Sequence, residues 1–124
     1  MIQEDKDLLL RDLGARLPYG VKIQVPYEDV SGYFDETVWE VNNEGPFHVN
    51  GWGIEYEYVK PYLFPLSSMT EEQKKEYQYI TERWMYDSSY SISDSTDWLN
   101  KHHFDYRGLI EKGLAIDATG LNIY

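Results

Sequence analysis

The sequence predicts an α+β fold: an N-terminal helix, a four-stranded antiparallel meander, then a capped helix and a short C-terminal helix packed on one sheet face. Three observations carry this. Leu9, Leu10, Leu13 and Leu17 recur three and four apart near the N-terminus. The middle of the chain alternates apolar and polar residues, and a helix-start signature stands at Thr70.

Taking the elements in order, the leucine stripe marks an amphipathic helix over residues 4–17, with Asp5 and Asp7 near the positive end of its dipole and Pro18 as its stop. A helix this short is marginal in water, so its leucine face must be buried. Val21, Ile23 and Val25 alternate with Lys22 and Gln24, the period of a strand with one wet face. Residues 29–34 and 37–41 are two further strand candidates, parted by the turn-like pair Asp35 and Glu36. Residues 42–46, Asn-Asn-Glu-Gly-Pro, form the clearest turn. The strongest strand pattern follows, with Trp52, Ile54, Tyr56 and Tyr58 on one face and Glu55 and Glu57 on the other.

The stretch from Lys60 to Leu66 holds two prolines four apart and reads as a stiff irregular crossover. Thr70 and Gln73 fit a capping box opening a helix to about Tyr86, with Tyr77, Ile80 and Trp84 as its buried stripe and Glu71–Lys75 as a surface pair. Residues 88–95 are a serine-rich loop, and Asp94, Ser95 or Thr96 caps a short helix over residues 97–104. Gly108, Gly113 and Gly120 divide the remainder into turns. The whole chain, residues 1–124, has the length of a single domain.

Composition narrows the classes. Hydrophobic residues make up 42%, but 20 aromatics (12 Tyr, 4 Trp, 4 Phe) supply large surfaces for a core, which argues against disorder. The formal charge of −11 excludes a broad basic nucleic-acid surface. It is compatible with solubility, a basic partner or mimicry of nucleic acid. The absence of cysteine excludes disulfides and thiolate chemistry. No apolar run reaches the roughly 18–20 residues of a membrane span, so a cytoplasmic protein with no membrane association is expected.

The densest chemistry lies at residues 97–110, with His102, His103 and Asp105 as candidate catalytic residues. Neighbours on a helix diverge by about 100°, so His102 and His103 should face apart, whereas His102 and Asp105 are i,i+3. Two ligands do not make a zinc site, and no glycine-flanked serine supplies a nucleophile, so packing is the simpler reading and no metal or other cofactor is expected. Trp98, Leu99, Phe104, Tyr106, Leu109 and Ile110 would then cap the sheet, with Arg107 beside Asp105 as a tether for the turn at Gly108. Glu55 and Glu57 stand about 7 Å apart on one strand face, with Glu40 as a neighbour, but the alternation of a half-wet strand accounts for them. Trp52, Tyr56 and Tyr58 are candidate binding residues on the opposite face. Gly51-Trp52-Gly53 lacks the third glycine of a dinucleotide fingerprint.

Three blocks, LLLRDLGARLPYGV at 8–21, KPYLFPLSSMTEE at 60–72 and DWLNKHHFDYRGLIEKGLA at 97–115, resemble a family of short uncharacterised proteins from gut bacteria and their phages or mobile elements. The resemblance covers both ends and the crossover, not the strand region between 24 and 59. It implies a mobile-element setting and carries over no catalytic residue. The expectation is a small acidic accessory protein that acts by binding another protein, in its sharpest form a nucleic-acid mimic. The alternatives are a small hydrolase or metal-dependent enzyme centred on His102, His103 and Asp105, and an aromatic carbohydrate-binding module.

Overall fold

A computed structural model describes residues 2–26, 32–37, 46–49, 52–55, 60–83 and 92–124. Helix α1 (Gln3–Arg16) carries Glu4 and Asp5 in its first turn and Arg16 in its last, charges that complement its dipole. Pro18 sits in the 3-10 turn Leu17–Tyr19, which Gly20 closes at a φ of 68°, a left-handed conformation that glycine adopts without a Cβ penalty. Leu9 and Leu13 are wholly buried, and Leu8, Leu10 and Leu17 pack partly buried beside them. Two charged residues, Asp12 and Arg16, share the burial at 0% exposure. The leucine spacing gave no hint of them.

Val21, Ile23 and Val25 are buried as their alternation predicts. Strand β1 (Lys22–Pro26) pairs antiparallel with β2 (Tyr33–Thr37), Lys22 opposite Thr37 and Pro26 opposite Tyr33. Asp35 and Glu36, expected as a turn, instead lie inside β2 opposite Gln24 and Ile23. Charged residues are well suited to an outer strand, where they discourage further pairing. Strands β3 (Pro46–Val49) and β4 (Trp52–Glu55) pair antiparallel, Phe47 opposite Ile54, as a separate two-stranded sheet. Most of the expected turn at 42–46, and residues 56–59, lie outside the described residues.

The antiparallel meander is corrected at its centre. The expected crossover is strand β5 (Lys60–Pro65), and the sheet it organises runs β2-β1-β5-β6 with β7 also on β5. β5 is antiparallel to β1 but parallel to β6 (Phe104–Asp105) and β7 (Ile116–Asp117), so the sheet is mixed. Backbone groups alternate edges along a strand, so Pro61, Leu63 and Pro65 share one edge. Among the described residues only two-residue β7 pairs there, through the Leu63 carbonyl, which accepts from Ala118 N–H at 2.8 Å. The missing proline donors therefore cost no ladder bond. Two prolines in register with each other are compatible with a strand.

Adjacent residues of a strand point to opposite faces, and this divides the core. Leu63 joins Leu9, Leu13, Val21, Ile23, Val25 and Leu109 in one cluster. Phe64 packs against the other, built from Met69, Trp98, Leu99 and Phe104 with Tyr77 and Ile80. The two later helices thus share the Phe64 cluster, while α1 packs into the Leu63 cluster. Helix α2 (Glu71–Arg83) opens with the expected capping box: Thr70 N–H donates to Gln73 Oε1 at 2.9 Å and Gln73 N–H to Thr70 Oγ1 at 3.1 Å. Glu71 pairs with Lys74 rather than Lys75. Trp84 lies outside the described residues. Helix α3 (Ile92–Lys101) starts five residues earlier than expected and takes in Ser93, Asp94 and Ser95. Ser95 is buried, and Trp98 and Leu99 follow it at i+3 and i+4 on the same side. A small hydroxyl residue can join a buried helix face, which serine content alone conceals.

The Asp12 carboxylate bridges two arginines: Arg16 Nε donates to Oδ2 at 2.9 Å and Arg107 Nη1 to Oδ1 at 2.9 Å. Arg16 also donates to the Phe104 carbonyl, joining α1 to β6. Arg107 therefore tethers the C-terminal turn to α1. Removing the carboxylate leaves a buried guanidinium without its counter-charge, a loss worth about 3–5 kcal/mol. Asp12→Ala is expected to lose stability of that order in urea unfolding, whereas Asp7→Ala on the exposed side of the same helix should change it by less than about 0.5 kcal/mol.

Candidate functional site

α3 ends at Lys101, and the way it ends builds a cleft. His102 N–H still reaches the Trp98 carbonyl, while His103 N–H reaches Asn100 and its φ turns to 61°. Histidine is among the non-glycine residues that tolerate this left-handed conformation. The His103 carbonyl then accepts from Phe64 N–H at 2.8 Å, starting β6 on β5. The 100° divergence holds within a helix, and the helix has already ended. As a result His102 and His103 line one open cleft of about 480 Å³.

The cleft has an aromatic side and a polar side. Phe64, Phe104 and Tyr124 form the first: Phe64 lies 6.2 Å from the Phe104 ring and 5.9 Å from Tyr124. Lys101, the two histidines, Ser68 and Thr119 form the second. The His102 ring rests on Trp98 at 4.4 Å, and Trp98 Nε1 donates to Glu76, anchoring α3 to α2. His103 is stacked on Tyr124 at 3.8 Å and 11° and is only 8% exposed. Its Nδ1 is sealed away with no hydrogen-bond partner among the described residues. Burial, followed by the positive charges of Arg16, His102 and Lys22, pushes the His103 pKa down to about 4, so the ring is neutral at pH 7.

Tyr124 holds this arrangement from the far end of the chain. Its hydroxyl accepts from Lys22 N–H at 2.9 Å and donates to the Tyr62 carbonyl at 2.7 Å. It therefore stands in the ladder where β1 and β5 part, on the edge of β5 that β6 uses further along. The residue is 43% exposed, yet burial pushes its hydroxyl pKa up to about 12 against the opposing effect of the Lys22 bond. Lys22 Nζ donates to the Ile123 carbonyl and fixes the same segment. Composition and spacing gave no signal for Tyr124, because its partners lie 62 and 102 residues away.

The third candidate is turned to another task. Asp105 accepts Leu109 N–H at Oδ1 and Ile110 N–H at Oδ2, both at 2.9 Å, and so closes the turn instead of orienting a histidine. Gly108 supplies the positive φ of 76° that the turn requires. Trp52 belongs to β4 by its backbone pairing with Val49, while Tyr56, Tyr58, Glu57 and Glu40 lie outside the described residues. Glu55 and His48 belong to the β3–β4 pair, away in sequence from the cleft. Among the described residues no group of three or more metal-ligating side chains is assembled, and no helix is long and apolar enough to cross a membrane. No protein-family model matches the chain, and no curated protein or solved structure matches it.

Two measurements probe the cleft's framework. Tyr124→Phe removes one donor and one acceptor from a ladder gap, and should lower unfolding free energy by about 1–3 kcal/mol. For His103, the unfolded ring binds a proton near pH 6.5 and the folded ring near pH 4. Its contribution is whole above pH 6.5 and is lost as pH falls toward 4, because the unfolded state then binds more protons. In imidazole NMR the His103 signal should titrate near pH 4, and His103→Asn should flatten the fall in thermal midpoint between pH 6.5 and 4.

Proposed function

We propose that this protein works by binding a basic protein partner through its acidic, aromatic middle segment. What supports the reading is charge segregation. Between Lys22 and Lys60 the chain has eight Asp or Glu residues, eight aromatics and no Lys or Arg. The other residues carry 14 acids against 11 bases, so most of the net charge of −11 falls on this one stretch. Negative potential concentrated on one segment steers a basic partner and raises its association rate. Tyr and Trp within the same segment supply area and polar tips for the contact.

The backbone architecture fits that use. Among the described residues β2 is an end strand of the mixed sheet and β3–β4 form a two-stranded sheet. A two-stranded sheet is marginal by itself in water, and covering it stabilises it. A nucleic-acid mimic is the sharper form of the same reading, in which the carboxylates occupy the phosphate-binding surface of a DNA- or RNA-binding protein. The mobile-element resemblance of the end blocks agrees with such an accessory role. The hydrolase alternative has less behind it, since Asp105 spends both oxygens on backbone N–H groups.

Immobilised protein should capture a basic partner from host lysate at low salt and release it at high salt, because charge contacts are screened. A variant with the eight acids of the segment changed to Asn or Gln, checked for folding by circular dichroism, should capture none of it. Equal capture by the neutralised variant would sink the proposal. Competition of the captured protein with duplex DNA separates the mimic from an ordinary acidic binder.

A further inference from the structure

We propose that the cleft beside His102 and His103 is a binding site for a small organic anion with a flat apolar body, of the aryl carboxylate kind. The inference is independent of the partner-binding reading and uses different residues. The cleft lining departs from the acidic character of the chain. In a chain of net charge −11, Lys101, His102 and His103 line it and, among the described residues, no Asp or Glu side chain does.

The second observation is His103 itself. It is more than nine-tenths buried, its ring is clamped on Tyr124, and no side chain or backbone group among the described residues hydrogen-bonds the imidazole. With Nδ1 sealed off, Nε2 is the nitrogen left to address the cleft. A buried N–H without an acceptor is rarer in proteins than a buried acceptor without a donor. We therefore assign the proton of the neutral ring to Nε2, where it presents a donor to the cleft. After burial, the influences that keep His103 from taking a second proton are the charges of Arg16, His102 and Lys22. The same positive potential that disfavours an imidazolium there favours an anion.

The rest of the lining sets the ligand's shape. Phe64, Phe104 and Tyr124 offer ring surfaces to a planar apolar body, while Lys101, His103 Nε2 and the Thr119 hydroxyl offer donors to a carboxylate. A volume of about 480 Å³ lies within the range of small-molecule sites. Aromatic packing together with a few convergent donors is how such sites fix both affinity and orientation.

The test uses the whole protein and three probes at constant pH: benzoate, its neutral isostere benzamide, and inorganic phosphate. Imidazole signals of the three histidines are assigned by substitution and followed through each titration. Benzoate should shift His102 and His103 along one saturating curve and leave His48 unmoved. Benzamide should bind about tenfold more weakly, the loss of a charge-assisted contact. Lys101 is exposed, so Lys101→Gln should fold normally and weaken benzoate several-fold; His103→Asn keeps the left-handed turn and should abolish the His102 response. Phosphate should bind more weakly than benzoate, since it has no ring to pack. Benzoate and benzamide binding equally, phosphate matching benzoate, or no saturating shift at either cleft histidine would overturn the proposal.

Discussion

One buried carboxylate holds two distant parts of this chain together. Asp12, on the helix that opens the fold, is bonded to Arg16 on the next turn and to Arg107 in the turn that follows β6. Burying these charges carries a desolvation penalty that only good geometry and further hydrogen bonds offset. Here both carboxylate oxygens are used, and Arg16 makes a further bond to the Phe104 carbonyl. Tyr106 lies 5.4 Å from one guanidinium and 4.5 Å from the other, contributing cation–π attraction. The cluster keeps one positive charge in excess, and its field reaches His103.

β5 is the second organising element. By alternation it sends Leu63 into the α1 cluster and Phe64 into the α2–α3 cluster, so two small cores are joined through one strand. Its edge toward β1 and β6 also contains a gap, filled by the Tyr124 hydroxyl in place of a direct ladder bond. That substitution brings the end of the chain onto His103 and forms one wall of the cleft. The architecture and the candidate site therefore have the same origin. A strand that changes partners along its length leaves room for side chains between them.

Charge is segregated along this chain. The stretch between Lys22 and Lys60 holds carboxylates and aromatics with no Lys or Arg, whereas among the described residues no acidic side chain lines the cleft. Asp105 shows why residue type alone is a poor guide. A histidine pair with an aspartate two residues on resembles catalytic equipment, yet the aspartate's hydrogen bonds go to the backbone of a turn.

Local physics was legible in the chain. The leucine spacing of α1, the alternation of Val21, Ile23 and Val25, and the reciprocal bonds of Thr70 and Gln73 depend on residues within a few positions of each other. Periodicity and capping chemistry report such relations directly. The α+β class follows from them. Only tertiary structure decided that a proline-bearing stretch is the central strand, because the edge a proline faces depends on which strands pair there. It also decided that His103 leaves the helix in a left-handed turn, that Asp12 reaches Arg107, and that Tyr124 closes a ladder near Lys22. These are contacts between residues 38 to 102 positions apart, or consequences of them, and no local pattern encodes a partner that chain folding has yet to bring near.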